Sequence, residues 1–297
     1  MGESRGLVPV YTRRASALHA TRAGVGAAYC AAFGLAGMLY ENPLVLAGAL
    51  AGVIAAGVAA GVGRQLVRAA WIAVPLALLW VVVNAFVYQE GATVIFRGGE
   101  LFGRRIDVTL ESVAYGADAG LRLLVVTLAF ALYAAAVDPD EMLRLLRRFS
   151  YRSALTASLA TRLVPVLARD ASRMGDAARC RPAPPGRAQV ARATLTGALD
   201  RAVEVAAALE VRGYSVARPP ARVHRTWSRH DLRVGTAALL IAAAAIGAKA
   251  AGVGDLVPYP TFEPALGPGE MLLAAGLALA GAVPFTGAGA RMGVARA

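Results

Sequence analysis

The sequence predicts an all-α polytopic membrane protein, with about six transmembrane helices and two long amphipathic cytoplasmic helices between spans four and five. Three observations lead there. The 297 residues are 57% hydrophobic and only 17% charged, with a mean hydropathy of +0.54, an apolar excess that soluble domains do not carry. Six stretches approach the roughly 20 apolar residues that span a bilayer core as a helix. The charges in their connections then alternate as a six-span chain requires. The same composition excludes a disordered chain, a collagen and a small secreted scaffold. Cys30 and Cys180 stand far apart with no metal-ligand spacing, so neither a disulfide framework nor a zinc site is supported.

Backbone groups left unpaired in lipid are intolerable, and a helix satisfies them internally. The spans are therefore read as helices at about Ala23 to Tyr40, Leu44 to Val62, Ala69 to Tyr88, Ser112 to Val137, Val234 to Val253 and Met271 to Ala290. The last is the weakest, because its strongly apolar part ends near Phe285. The chain divides into a tail at 1–22, spans one to four at 23–137, a polar region at 138–232, spans five and six at 233–290, and a tail at 291–297.

Arginine and lysine near helix ends are retained on the cytoplasmic side. Arg5, Arg13, Arg14 and Arg22 place the N-terminal tail there, and Arg64 with Arg68 place the second connection there. The turn Glu41-Asn42-Pro43 and the stretch from Gly254 to Glu270, with Asp255, Glu263 and Glu270 and no base, read as external. So does Gln89 to Glu111, in which Gly98-Gly99 and Gly103 to Arg105 read as turn residues. Arg291 and Arg296 return the C-terminal tail to the cytoplasm, so both termini face inward, as expected in a prokaryotic inner membrane. The positive N-terminal stretch is long and the apolar segment after it is long enough to span. It is read as a first span rather than a cleaved signal peptide.

Between Asp138 and Asp231 the character changes, with seventeen arginines, nine acids and no apolar run long enough to span. Such a surface suits anionic lipid headgroups or protein partners. Its few aromatics, Phe149, Tyr151, Tyr214 and Trp227, are not interleaved with the bases, which gives no stacking platform for nucleic acid. Helical periodicity occurs twice. Leu155, Leu159, Leu163, Val166 and Met174 mark the first helix, about thirty residues long with Pro165 inside, while Arg162, Arg169, Arg173 and Asp176 take other faces. Leu195, Leu199, Ala202, Ala206 and Leu209 mark the second, about twenty residues long, with Arg201, Glu204 and Arg212 outside the stripe.

The two helices end alike. The first runs into Ala178-Arg179-Cys180-Arg181-Pro182 and the second into Ala208-Leu209-Glu210-Val211-Arg212-Gly213-Tyr214. Pro182 cannot continue a helix, and Gly213 suits the left-handed position after one. A cation in each last turn complements the helix dipole. The dipole alone does not account for two such endings flanking a proline-rich loop, Pro182 to Pro185.

The stretch from Leu199-Asp200-Arg201-Ala202 to Val211-Arg212-Gly213-Tyr214 resembles the second signature of the T component of energy-coupling factor transporters, the EcfT/CbiQ-like family. In that family an Ala-Arg-Gly triplet closes each of two cytoplasmic coupling helices. Here the second triplet is Val211-Arg212-Gly213. The first departs further: one register gives Cys180-Arg181-Pro182 after an Asp176-Ala177-Ala178-Arg179 lead-in, and another uses Ala178-Arg179-Cys180. The resemblance implies a scaffold without catalysis or a cofactor of its own. Two ABC-type ATPase subunits, which carry the ATP, dock beneath the helices through Arg181 and Arg212, and a small membrane S component binds a vitamin or a metal ion such as cobalt. Arg179, Arg201 and Glu210 are expected to support the site.

Other chemistry is weighed against structure. Arg122 and Lys249 lie near the outer ends of their spans, where they snorkel, and Asp118 sits one turn from Arg122 and pairs with it. Asn84 reads as an interhelical hydrogen bond rather than a substrate ligand. His19, His224 and His230 share no metal-ligand spacing and read as interfacial. The pairs Gly48/Gly52 and Gly57/Gly61 permit close helix approach, either within the chain or to a sliding partner. No GxxxxGK[ST] phosphate loop occurs. The competing function is a membrane enzyme acting on a phosphorylated lipid or prenyl substrate through Asp138, Asp140 and Glu141. That run is also a good helix start, with Asp138 as cap.

Overall fold

A computed structural model describes residues 11, 14, 16–87, 93–101, 104–146, 151–183, 185–213, 226–254 and 267–285. The expectations at Arg5, Arg13, Gly103, Tyr214, His224, Asp255, Glu263, Arg291 and Arg296 lie outside the described residues. Each expected span contains a helix among its described residues. In chain order the helices are α1 (Ala17–Ala20), α2 (Ala23–Leu39), α3 (Pro43–Ala59), α4 (Gly63–Val87), α5 (Leu110–Ala136), α6 (Pro139–Leu146), α7 (Tyr151–Arg179), α8 (Arg187–Val211), α9 (Arg229–Ala250) and α10 (Pro268–Ala282), the last continued by a 3-10 turn at Val283–Phe285. Between α4 and α5 run two strands, β1 (Val94–Leu101) and β2 (Arg104–Thr109).

Length and composition make α4, α5, α9 and the Pro268–Phe285 helix sufficient to cross a membrane. The apolar α2 and α3, with 17 residues each, stand at the lower bound of about 17–25 residues for a span. Local signals fix the helix starts. Asn42 accepts a hydrogen bond from the Leu44 N–H at 3.0 Å, with Pro43 in the first turn of α3. Thr109 accepts from the Ser112 N–H at 3.2 Å at the start of α5.

The chain forms two units, Met1–Pro139 with Trp227–Ala297, and Asp140–Thr226. In the first, α5 packs against α2, α3 and α4, while α9 packs on α2 and α10 on α3. Tyr29, Phe33, Tyr40, Leu46, Val53, Leu132, Ile241 and Leu277 fill its core. Tyr29 meets Phe33 edge-on with centroids 5.4 Å apart, and its hydroxyl donates to the Gly281 carbonyl at 3.0 Å. Along the middle of α4, alanines sit inside and large apolar residues outside. On α4, Ala69, Ala73 and Ala77 are buried while Trp71, Leu78, Leu79 and Trp80 are exposed, the arrangement of a helix that packs on protein by close approach and faces lipid elsewhere.

Gly48 and Gly52 settle one open question. A Cβ on Gly48 would collide with the backbone of Ala274, one on Gly52 with the Leu277 carbonyl, and one on Gly281 with the backbone of Gly52. They bring α3 and α10 into near-backbone contact within the chain. Gly57 packs under Leu66. Gly61, expected to share a helix face with Gly57, instead lies beyond the end of α3 with φ +75°, a left-handed turn position.

The segment between α4 and α5 differs from its expected loop. β1 and β2 pair antiparallel, with Val94 opposite Thr109 and Leu101 opposite Arg104, and the register shifts between Arg97 and Glu100. Gly98 and Gly99 are therefore not the turn but an irregularity inside β1, and Arg104 and Arg105 belong to β2. Glycine inside a strand commonly marks a bulge. The Thr93 N–H donates to both oxygens of the buried Glu111 carboxylate, at 3.2 and 3.3 Å, tying the hairpin to α5.

Contacts sort the connections by end of the bundle. At one end the Arg14 guanidinium donates to the Gly61 carbonyl at 2.6 Å, and the Arg22 N–H donates to Asp231 at 2.7 Å. At the other, Arg122 pairs with Glu41 at 3.1 Å and with Asp118 at 3.7 Å, and the Tyr40 hydroxyl donates to the Ala245 carbonyl at 2.7 Å. Lys249 stands 5.9 Å from the Tyr40 ring centroid. The expected Asp118–Arg122 pair is thus present, with Glu41 as a second partner. Asn84 does not bridge helices by the expected bond: its amide donates to the Trp80 carbonyl of its own helix at 2.8 Å. Gly116 on α5, having no Cβ, lets α4 approach closely at Val81 and Asn84.

Candidate functional site

The second unit contains α7 and α8, 29 and 25 residues long. Arg201 of α8 pairs with Asp170 of α7 at 2.7 Å, and the Thr194 hydroxyl reaches Met174 Sδ at 3.4 Å. These partners, one helical turn apart on α7 and two turns apart on α8, run in opposite chain directions, so the helices are antiparallel where they meet. The α7 face toward α8 carries Leu163, Val166 and Asp170, and the α8 face carries Val190, Thr194, Ala198, Arg201 and Val205, all half-buried. Asp170, Arg173, Met174, Thr194, Gly197 and Arg201 line a shallow cleft between them.

The packed face of α8 is not the stripe expected from its periodicity. Leu195 and Leu199 are 63% and 67% exposed, and Ala202 and Ala206 are exposed as well. Only Leu209 is half-buried. Helical positions 195, 199, 202 and 206 lie about a quarter turn from 194, 198, 201 and 205 at 3.6 residues per turn. Arg201, expected outside the stripe, instead pairs with Asp170 of α7. Periodicity showed which face is apolar, whereas the pairing of Asp170 and Arg201 selects the neighbouring face and leaves the apolar one open.

At the end of α7, Arg179 is the last helical residue and folds back on Asp176 one turn earlier. Cys180, Arg181 and Pro182 follow, all exposed, and the Arg181 N–H donates to the Ala178 carbonyl at 3.3 Å. At the end of α8, Val211 is the last helical residue and 90% exposed. Arg212 is the C-cap, its N–H directed at the Ala208 and Glu210 carbonyls. Gly213 has φ +73°, the left-handed position expected of it, and its N–H donates to the Glu210 carbonyl at 2.9 Å. Among the described residues neither Arg181 nor Arg212 has a carboxylate within ion-pair distance, whereas Arg179 and Arg201 are committed to Asp176 and Asp170.

The antiparallel arrangement puts the end of α7 beside the start of α8. Arg181 and Arg212 are then separated by the length of α8, roughly 37 Å at 1.5 Å per residue. Each guanidinium stands where a helix terminus exposes carbonyls, presenting a planar cationic fork outward.

The acidic run at the end of α5 takes its structural reading: α6 begins at Pro139, directly after Asp138, with Asp140 and Glu141 in its first turn. Among the described residues no three metal-ligating side chains converge. The sequence-based reading missed Asp231, Arg22 and Trp227, which meet where α9 begins. The available signal was the Ser228-x-x-Asp231 spacing of a capping box, present here with both reciprocal bonds.

No curated protein matches the chain. The family model of CbiQ, cobalt transport protein, matches residues 14–222, which takes in the spans to the end of α5 together with α7, α8 and both arginine endings. With its apolar helices and that match over more than half its length, the chain belongs to the CbiQ cobalt transport protein family, as a membrane component of a transporter.

Proposed function

We propose that this chain is the T component of an energy-coupling factor importer. Two ABC-type ATPase subunits dock at the ends of α7 and α8, and a small membrane S component carries the substrate, for which the family points to cobalt ahead of a vitamin. The observation that carries the reading is the pair of uncommitted arginines, Arg181 and Arg212, at opposite ends of one antiparallel helix pair. A spacing of roughly 37 Å suits two separate docking sites better than one. It also favours Arg181 over Arg179 as the first docking residue, because Arg179 is occupied by Asp176.

In this reading each arginine enters a groove on one ATPase and makes charge-assisted hydrogen bonds to acidic or carbonyl groups. The guanidinium keeps its charge and makes two directed bonds, so it transmits push and pull where a lysine would pivot. ATP-driven closure of the ATPase pair moves the two helix ends, and the open apolar face of α8, with Leu195 and Leu199, meets the S component. The chain itself binds no cofactor. Both termini and the α7–α8 unit lie on the cytoplasmic side of the inner membrane, where the ATP is. The test is ATP-dependent cobalt uptake by the reconstituted complex: the Arg181→Ala and Arg212→Ala double variant is expected to abolish it, and undiminished uptake would falsify the reading.

A further inference from the structure

The exposed side of α4 changes character along its length. The helix packs chiefly on α5, with Leu66, Ala69, Ala73 and Ala77 buried. At 3.6 residues per turn, Arg64, Arg68, Trp71, Pro75, Leu78 and Val82 share one outward stripe, and all six are exposed, Trp71 at 77%. Two cations thus stand one turn apart where the helix begins, followed by an aromatic ring and then by apolar side chains. Among the described residues neither arginine has a carboxylate within ion-pair distance, and the first turn of α4 holds no acid. Arg14 brings a third guanidinium to the same end, donating to the Gly61 carbonyl in the turn before α4. Like charges one turn apart repel each other, so this end of the helix is stabilised by an anion supplied from outside.

We propose that this stripe is a binding surface for an anionic phospholipid, whose phosphate is held by Arg64 and Arg68 and whose acyl chain lies along Trp71, Pro75 and Leu78. The dimensions fit. Ten residues separate Arg68 from Leu78, about 15 Å of helix rise, which is half of the roughly 30 Å hydrocarbon core and so the depth of one leaflet. Trp71 falls just inside the arginines, at the level between headgroups and chains where tryptophan is favoured. A guanidinium meets a phosphate through two parallel hydrogen bonds. A soluble anion would engage the arginines and leave the apolar strip unused, whereas a lipid occupies both. Headgroup selectivity follows from charge. Phosphatidylglycerol carries a net negative charge, while the quaternary ammonium of phosphatidylcholine cancels that charge and is repelled by the arginines.

The chain carries three tryptophans, Trp71, Trp80 and Trp227, so a variant with Trp80→Phe and Trp227→Phe leaves Trp71 as the sole reporter. The full chain is reconstituted in phosphatidylcholine vesicles in which a rising fraction is replaced by brominated phosphatidylglycerol or brominated phosphatidylcholine. Quenching of tryptophan fluorescence then gives the relative binding of the two lipids at that ring. Phosphatidylglycerol is expected to be preferred by about 5- to 30-fold, the contribution of one to two basic residues beside an anionic headgroup, and the preference shrinks as salt is raised. Arg64→Gln with Arg68→Gln is expected to bring the ratio near one, while Arg64→Lys with Arg68→Lys, which keeps both charges, retains most of it. Trp80 is also exposed but lies half a turn round the helix from Trp71 and further from the arginines, so a variant retaining Trp80 alone is expected to show a ratio near one. A ratio near one at Trp71 with both arginines in place would overturn the proposal. So would a preference that survives the double glutamine change or that appears equally at Trp80. Quenching at Trp80 but by neither lipid at Trp71 would overturn it as well, by showing that a protein surface covers the stripe.

Discussion

Replacing Gly281 with alanine puts a methyl group where the backbone of Gly52 already stands. The obstructing atoms are the carbonyl oxygen, carbonyl carbon and Cα of Gly52, and none can turn aside as a side chain would. The substitution is therefore relieved only by moving α10 away from α3, which also loosens the contact of Gly48 with Ala274. Overpacking of this kind costs about 1–3 kcal/mol, and a forced separation along a helix pair, where many weak contacts are lost together, belongs at the upper end. Gly276 is the control. It lies on the same helix with nothing within 4 Å of its would-be Cβ, so Gly276→Ala is expected to stabilise by about 0.5–1 kcal/mol through helix propensity alone. The two variants should differ by about 2–3 kcal/mol. Unfolding in mixed micelles with a rising fraction of denaturing detergent, followed by tryptophan fluorescence, measures the difference. The Gly52→Ala and Gly281→Ala double variant should cost less than the sum of the singles, since one separation makes room for both methyl groups. Equal stability of Gly281→Ala and Gly276→Ala would refute the α3–α10 contact and return Gly48 and Gly52 to the role of a partner surface.

Three further outcomes follow from other contacts. Asp118→Ala, which removes a buried carboxylate beside Arg122, is expected to cost about 1–3 kcal/mol, whereas Glu41→Ala, at a 42% exposed partner of the same arginine, should stay within about 1 kcal/mol; equal losses in the unfolding assay would contradict that ranking. Gly213→Ala forces a methyl-bearing residue to φ +73°, at about 1–2 kcal/mol, so backbone amides in the last turn of α8 should exchange faster with solvent. A double-mutant cycle on Asp170 and Arg201, both partly exposed, is expected to give a coupling of about 1 kcal/mol or less; a markedly larger value would mean that this single pair holds α7 to α8.

The helices that cross the bilayer were legible because lipid imposes a single rule, an apolar run in a self-satisfied backbone, which can be read from composition. The endings of α7 and α8 were legible for a similarly local reason: Pro182 and Gly213 act on their own backbone. Contacts between distant segments were not. Sequence periodicity identified the apolar stripe of α8 correctly, yet what covers a stripe depends on the partner, and the Asp170–Arg201 pair chose the adjacent face. Asn84 was read as a bridge between helices, but its amide donates to the carbonyl one turn back on its own helix. The β1–β2 hairpin was hidden because Gly98 and Gly99 signal a turn as strongly as they signal a bulge, and only cross-strand pairing separates the two. Asp231 was read as the edge of a polar region, since nothing local announces that Arg22 will meet it.

The central claim is that Arg212 at the end of α8 holds an ATPase. Its most direct test is purification of the tagged chain from its native membrane in mild detergent, with ATPase activity measured in the eluate for wild type and Arg212→Glu. The account predicts that wild type brings down ATPase subunits and that the charge reversal loses them while the chain itself is recovered in equal amount. Equal ATPase activity in both eluates, or none in either, would contradict it.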